Sequence, residues 1–355
     1  MSGWGRTLLM LAGGLAGLGA LSCVGLCIAV ALSFHFPDEV EELAVVSGDA
    51  PTLAPGSTVK VLVWNIQFAG GRDHEFFYDG GEAVSVPPDV VQATLARVAE
   101  TIRRHDPDLV LLQEVDRNSR RTGLVDQHLH LVEALGYPAH VTATYHQNPY
   151  VPSPGHEHLG RVDMHLTVMS RFRLGGAARH QLALLDEPAW RRLFNLRRAL
   201  LQVAVPLEGG GELSLFNTHL SAFSGGDETV DLQIGEILKV TAGTAGPWLL
   251  AGDFNALPPG DDPARLPDAD LYPSNAWPMQ ILFDQTQPAV PLAELTADPQ
   301  PWRTYVDYGA TSPDRVLDYV FYGPGVEGRT YLVDTRAIGI SDHLPLVATL
   351  TAVRE

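Results

Sequence analysis

An α/β or α+β sandwich is the fold class this sequence predicts, on two observations. Apolar runs of strand length recur along the chain, over residues 59–66, 109–113, 164–169, 199–205 and 213–217. Stretches with apolar residues at helical spacing alternate with them, and that alternation is the pattern of layered helices on sheets. There is no internal repeat and no cysteine spacing of the zinc-binding kind.

The elements follow in order. Thr7 to Phe34 holds no charged residue. It is longer than the ~20 residues that cross a hydrocarbon core of ~30 Å, and longer than a secretory apolar region. Arg6 precedes it; Asp38, Glu39, Glu41 and Glu42 follow. The positive-inside bias then sets the N-terminus in the cytoplasm and the rest outside it. The expectation is an uncleaved signal anchor over 1–36. A cleaved signal peptide with its site at Ala29-Val30-Ala31, or a lipid-modified Cys23, are the alternatives. Cys23 and Cys27 both lie in this run, so the remainder has no thiol.

Residues 37–57 are acidic, then Gly/Pro/Ser-bearing, and read as a linker to a domain over 58–355. Past the strand at 59–66, residues 68–93 form a long Gly-rich loop with Phe76, Phe77 and Tyr78. Such loops often serve function, and Arg72, Asp73 and His74 are expected within reach of a substrate. Asp89 is placed to cap a helix ending near His105, with Leu95, Val98, Ala99 and Ile102 on one face and Pro107 stopping it. The strand at 109–113 comes next, then a helix over 125–135. Residues 146–158 read as a loop, because His146, His156 and His158 are spaced too irregularly for a metal site. After the strand at 164–169, residues 190–198 carry Arg191, Arg192, Arg197 and Arg198, a basic cluster that faces either phosphate or lipid headgroups, or else solvent. Asp227 is placed to cap a helix to Leu238. A Pro/Asp-rich loop occupies 258–273, and the final strands carry Asp318 and Asp342-His343.

Polar residues stand where apolar runs meet their ends: Asn65, Glu114, Asn217-Thr218-His219, Asp253 and Asn255, Asp318, and Asp342-His343. Each alone reads as a turn or a solvated strand end. As a set they suit a hard cation beside a phosphate. Such a cation takes carboxylate oxygens and water, and phosphate hydrolysis needs an oriented water and donors aimed at the oxygens that gain charge. Glu114 and Asp342 are the best carboxylates for the cation, and Asn65 adds an amide oxygen. His219, His343 and Asn255 can donate, Asp253 can orient or deprotonate water, and Asp318 can pair with a protonated histidine.

Trp64-Asn65-Ile66, Leu112-Gln113-Glu114-Val115, Asn217-Thr218-His219, Gly252-Asp253-Phe254-Asn255, Leu317-Asp318-Tyr319 and Ser341-Asp342-His343 resemble, in order, the motifs of the endonuclease/exonuclease/phosphatase superfamily. Ser170-Arg171-Phe172 resembles its Ser-Arg strand end. The resemblance covers about residues 58–352. It implies a four-layer α/β-β/α sandwich of two mixed sheets, and hydrolysis of phosphoric esters with Mg²⁺ (or Mn²⁺). It also implies roles: Asn65, Glu114 and Asp342 at the metal, His219 and Asn255 on the phosphate, Asp253 on the water, and Asp318 paired with His343, which stabilises the transition state. Gln67 stands where some nuclease members carry an acid, and Arg161 is the candidate for a substrate-binding side chain between the second and third motifs.

The net charge of −18 disfavours non-specific duplex binding, which rests on Lys and Arg. The sequence therefore predicts a membrane-anchored phosphodiesterase outside the cytoplasm, acting on a substrate such as a phospholipid headgroup. An extracytoplasmic nuclease acting on DNA or RNA is the alternative. A non-catalytic binding domain would show a damaged motif, and none is damaged.

Overall fold

Side chains that alternate along each strand give this chain two opposite apolar faces per sheet, and the fold buries all of them. The computed structural model describes residues 36–222, 228–272 and 278–352, with scattered positions between 4 and 34. The strands are β1 (Val40–Glu42), β2 (Val46–Ser47), β3 (Thr58–Asn65), β4 (Leu109–Asp116), β5 (Ala139–Val151), β6 (Gly160–Ser170), β7 (Ala177–Gln181), β8 (Ala199–Pro206), β9 (Glu212–His219), β10 (Trp248–Asp253), β11 (Gln287–Pro288), β12 (Asp318–Tyr322), β13 (Val326–Val333) and β14 (Leu346–Ala352). The helices are α1 (Pro88–His105), α2 (Gln127–Leu135), α3 (Ala189–Arg192), α4 (Thr229–Ala242), α5 (Gln280–Gln285) and α6 (Leu292–Ala297).

Two seven-stranded sheets result, in the orders β1-β7-β8-β9-β10-β12-β11 and β13-β14-β3-β4-β6-β5-β2. Both are mixed: β9/β10 and β3/β4 are parallel pairs in otherwise antiparallel ladders. The inner faces meet in one core, where Val61 and Val63 of β3 and Leu166 of β6 join Leu201, Leu215 and Leu249 of the other sheet. On one outer face, Leu62, Trp64 and Val110 pack under Val91, Leu95, Val98 and Ile102 of α1. On the other, Leu200, Phe216 and Leu250 pack under Val230, Ile234 and Ile237 of α4. This is the layered sandwich that the sequence predicts.

Most of the run 7–34 lies outside the described residues. Among the described residues, no helix is long and apolar enough to cross a membrane. Asp227 also lies outside them; its expected helix is α4. Asp89 sits in the first turn of α1, after Pro87, and makes no cap bond.

Three segments differ from expectation. Residues 37–57 carry two edge strands: Val40 pairs with His180 and Val46 with His140, while Leu53 is fully buried. Residues 146–151, expected as loop, complete β5. Its inward Ala139, Val141, Ala143 and Tyr145 alternate with polar residues, so no apolar run marks it. β7 was likewise hidden, because Ala177-Ala178-Arg179-His180-Gln181 buries an arginine.

Candidate active site

Strand ends of both sheets converge at one end of the sandwich. β3 closes on Asn65, β9 on His219 and β10 on Asp253, with Asp253 in register with His219. Asp318 and the pair Asp342-His343 open strands, where the sequence pattern suggested that they close them. Antiparallel pairing brings them to the same place: Asp318 stands opposite Asp253, and Leu346 opposite Val63.

Local backbone holds these groups in conformations that side chains rarely adopt. The β4–β6 register shifts between Leu112 and Val115, and Glu114 in that bulge has φ 55°. Asn255 has φ 50°. Gly252 has φ 147°, and a Cβ there would stand 2.0 Å from the Thr218 carbonyl oxygen, so only glycine fits before Asp253.

The side chains interlock. Asn65 Nδ2 donates to Glu114 Oε1 at 3.2 Å and to Asp253 Oδ2 at 3.0 Å. Its amide oxygen accepts from the Gln67 backbone N–H at 3.0 Å. His219 Nε2 lies 3.3 Å and His343 Nε2 3.5 Å from Asp253 Oδ2. Asp253 Oδ1 accepts from the Asn255 N–H at 3.0 Å. His343 Nδ1 is 2.7 Å from Asp318 Oδ2. Asn255 Nδ2 donates to the Leu220 carbonyl at 3.1 Å, which leaves one amide hydrogen for a ligand. Ser341 Oγ ties Asp342 Oδ1 (3.0 Å) to the Asn65 carbonyl (2.8 Å).

Tyr145 was not anticipated. Its hydroxyl accepts from the Glu114 N–H at 3.2 Å and lies 3.2 Å from His219 Nδ1. With Tyr145 donating to Nδ1, His219 carries its hydrogen on Nε2 and donates to Asp253.

Electrostatics divides the labour. Burial, Arg198 and His343 hold His219 well below the usual histidine range, so it stays neutral. Burial also opposes charge on His343, but Asp318, Asp253 and Asp342 outweigh it and hold that ring well above its ordinary value. Burial raises Asp253 to about 7, against the opposing pull of His343. Burial and the charge of Asp342 push the Glu114 carboxyl upward.

The sequence profile of the Endonuclease/Exonuclease/phosphatase family matches residues 62–343. The chain belongs to this family. It is a hydrolase acting on phosphoric ester bonds. Human Nocturnin is 24% identical over 327 residues, 86% of this chain and 68% of that protein. Rat Nocturnin is also 24% identical, with 64% of its length covered, so the chain spans about two thirds of these relatives. The endonuclease/exonuclease/phosphatase structure from Beutenbergia cavernae DSM 12333 is 27% identical, with a TM-score of 0.59 covering 83% of this chain and 72% of that one. The human Nocturnin catalytic domain with bound sulfate anion shares the fold at 18% identity, TM-score 0.54, over 87% and 96%. So does D. rerio TDP2 complexed with single strand DNA product, at 14% identity, TM-score 0.51, over 83% and 99%.

Family membership implies a divalent cation, and the donors fit one. Glu114 and Asp342 are hard oxygen donors whose mutual repulsion a cation would relieve. The Asn65 oxygen accepts from the Gln67 N–H and its NH₂ donates to the Glu114 and Asp253 carboxylates, which sets it beside the cation-binding donors. Asp253, Asp318 and His343 bring possible ligand atoms within 4.8 Å of one another. There, however, the imidazolium of His343 already lies between the carboxylates and takes the place of a cation.

Arg161 is exposed at the start of β6, and among the described residues no contact ties it to this cluster. The guanidinium that does reach the family's site is Arg198, one of the basic cluster at 190–198. It is buried, 5.5 Å from the Tyr145 ring, within the fields of Glu114 and Asp253, and its NH1 has no hydrogen-bond partner. In the loop 68–93, Arg72 acts with Asp342 and Glu114 on Asp79 of the same loop, and it donates to the Asp307 carbonyl at 2.6 Å. That contact braces the segment whose Tyr305 packs edge-on against His343, at 5.2 Å.

Proposed function

We propose that this chain hydrolyses a phosphodiester by direct attack of a water that Asp253 deprotonates. Arg198, His219, Asn255 and His343 grip the phosphate, and Glu114 and Asp342, with Asn65 beside them, would hold Mg²⁺. The carrying observation is Arg198, buried with one guanidinium nitrogen left without a hydrogen-bond partner, within the field of a carboxylate ringed by donors: a pocket suited to an anion and an attacking oxygen. Bound Mg²⁺ would supply charge that stabilises phosphoryl oxygens. The water's proton passes to Asp253 as its oxygen bonds to phosphorus and the ester oxygen leaves. His343, held charged by Asp318, stabilises the negative charge that develops.

The finer reading is a membrane-anchored enzyme with its catalytic domain outside the cytoplasm and a phospholipid headgroup as substrate. The uncharged run 7–34, the net charge of −18 and Gln67 in place of an acid support it. A nuclease is the second reading, favoured by the single strand DNA product in the TDP2 structure.

The test uses the full chain in detergent with Mg²⁺ and bis-p-nitrophenyl phosphate, phospholipid micelles or single-stranded DNA. Headgroup release that Glu114→Gln and Asp253→Asn both abolish is expected. Cleavage of DNA alone would replace the lipid reading, and no hydrolysis of any of the three would sink the phosphodiesterase.

A further inference from the structure

The path of the chain into the domain carries an inference about where the active site faces. β1 is antiparallel to β7, so the chain preceding Val40 leaves the sheet at the end where β7 stops. The Gln181 N–H donates to the Glu39 carbonyl at 2.8 Å, so the entering chain is held at that point. Gln181 pairs with Ala199, Leu200 with Thr218, and His219 with Asp253. Glu39, Gln181, Ala199, His219 and Asp253 thus mark one end of one sheet. The chain that carries the uncharged run enters the domain at its catalytic end.

The loop 182–198 springs from this same end and finishes at Arg198 in the site. It presents Trp190 at 61% exposure and Leu193 at 40%. Asn148 Nδ2 donates to the Leu193 carbonyl at 2.7 Å, which sets the loop beside Tyr150 of β5, 51% exposed. Exposed Arg191 stands 5.3 Å from the Trp190 ring. Arg192 pairs with Asp186 of the same loop at 3.2 Å and Arg198 is buried in the site, so Arg191 is the exposed cation of this face. Exposed large apolar side chains that cluster mark a binding surface. Trp and Tyr with a polar edge, and Arg with an apolar stem, suit the boundary between headgroups and acyl chains.

We propose that Trp190, Leu193, Tyr150 and Arg191 form a lipid-docking face that seats the mouth of the active site on an anionic phospholipid bilayer. The proposal rests on reading 7–34 as an anchor. The anchor would hold the chain at the bilayer, and this face would turn the site toward it, so that a phosphoester is taken from the membrane surface.

The experiment places the full chain in nanodiscs of phosphatidylcholine and phosphatidylserine, with plain or acyl-brominated lipids, and reads tryptophan emission. Bromination is expected to quench the wild type more than Trp190→Phe, and Arg191→Glu is expected to narrow that difference. Equal quenching of wild type and Trp190→Phe would overturn the proposal. So would a single-stranded oligonucleotide that shields Trp190 from iodide, which would mark the face as a nucleic-acid surface. A chain that does not incorporate into the discs would remove the anchor and this proposal together. Hydrolysis of bis-p-nitrophenyl phosphate is read on the same samples and is expected to be equal in the wild type and Trp190→Phe. Its loss in both, with Trp190 still quenched, would sink the catalytic reading and leave the docking face standing.

Discussion

At the scale of single residues, Asp253 joins the most partners: Asn65, His219 and His343 at one oxygen, Asn255 at the other. Burial raises its carboxyl to about 7. A general base works only when ionised, so kcat/KM is expected to rise with pH up to about 7 and level off above it. The fall at high pH belongs to loss of the His343 proton, which Asp318, Asp253 and Asp342 delay well beyond the usual histidine range. A pH–rate profile flat between 5 and 8 would remove Asp253 as the base. Arg198 gives a second expectation. A charge-assisted hydrogen bond contributes about 1.5–3 kcal/mol, so Arg198→Met should lower kcat/KM about 10- to 100-fold. The same change should leave thermal stability equal or higher, because the wild-type cation is buried without a partner at NH1. A Tm drop of many degrees would assign Arg198 to the fold instead. The acids, amides and histidines that gather at this end of the sandwich were legible because each sits in an ordered motif at an apolar run. Arg198 was legible only as one of four arginines, since burial of a cation is decided by the strands that close over it. Tyr145 left no signal, because tyrosine on an alternating strand is ordinary core.

At the scale of elements, the strained turn after Asn65 shows how Asn65 and Glu114 are held. Gln67, Phe68 and Ala69 have φ of 46°, 40° and 53°. Such residues cost about 1–3 kcal/mol each and persist only where the surroundings over-determine them. Gln127 of α2 supplies one restraint, donating to the Phe68 carbonyl at 2.6 Å and accepting from the Asp116 N–H at 3.1 Å. Arg121 supplies the other: it is paired with Asp116 at 2.8 and 2.9 Å and sits 3.7 Å from the centre of the Phe68 ring. The turn after β3 and the end of β4 are thereby locked together, and with them Asn65 and Glu114. Breaking a buried pair by removing one partner costs about 3–5 kcal/mol. Arg121→Met is therefore expected to lose that much in urea unfolding, and the double change Arg121→Met/Asp116→Leu to lose less than the single. A double variant weaker than the single by a further full increment would show that the two side chains act independently. The sequence marked α2 and its end but gave no sign of this lock, because the partners join residues 68, 116, 121 and 127 across four segments.

At the scale of the molecule, the segment 37–57 decides how the domain can be cut. Its acidic, then Gly/Pro-bearing composition reads as a linker, yet its backbone is bound along both sheets. Leu43 donates to the Ala177 carbonyl at 2.9 Å, Gly48 to Pro138 at 2.8 Å and Leu53 to Pro206 at 3.1 Å, while Pro51 accepts from Arg173 at 2.7 Å. Composition misleads here because short edge strands need few apolar residues. Two-residue and three-residue strands on sheet edges draw stability from the ladders they join. Leu53 alone, fully buried in the core between the sheets, contributes about 1.5–3 kcal/mol. A chain beginning at Pro37 is thus expected to match the full domain in urea midpoint, and one beginning at Thr58 to unfold at clearly lower urea. None of the catalytic side chains is removed by either cut. Below its unfolding transition, the shorter chain should therefore keep its kcat on a soluble phosphodiester within about threefold. Equal midpoints for the two chains would show that 37–57 is a detachable tether. A lower midpoint shows that the segment is part of the domain.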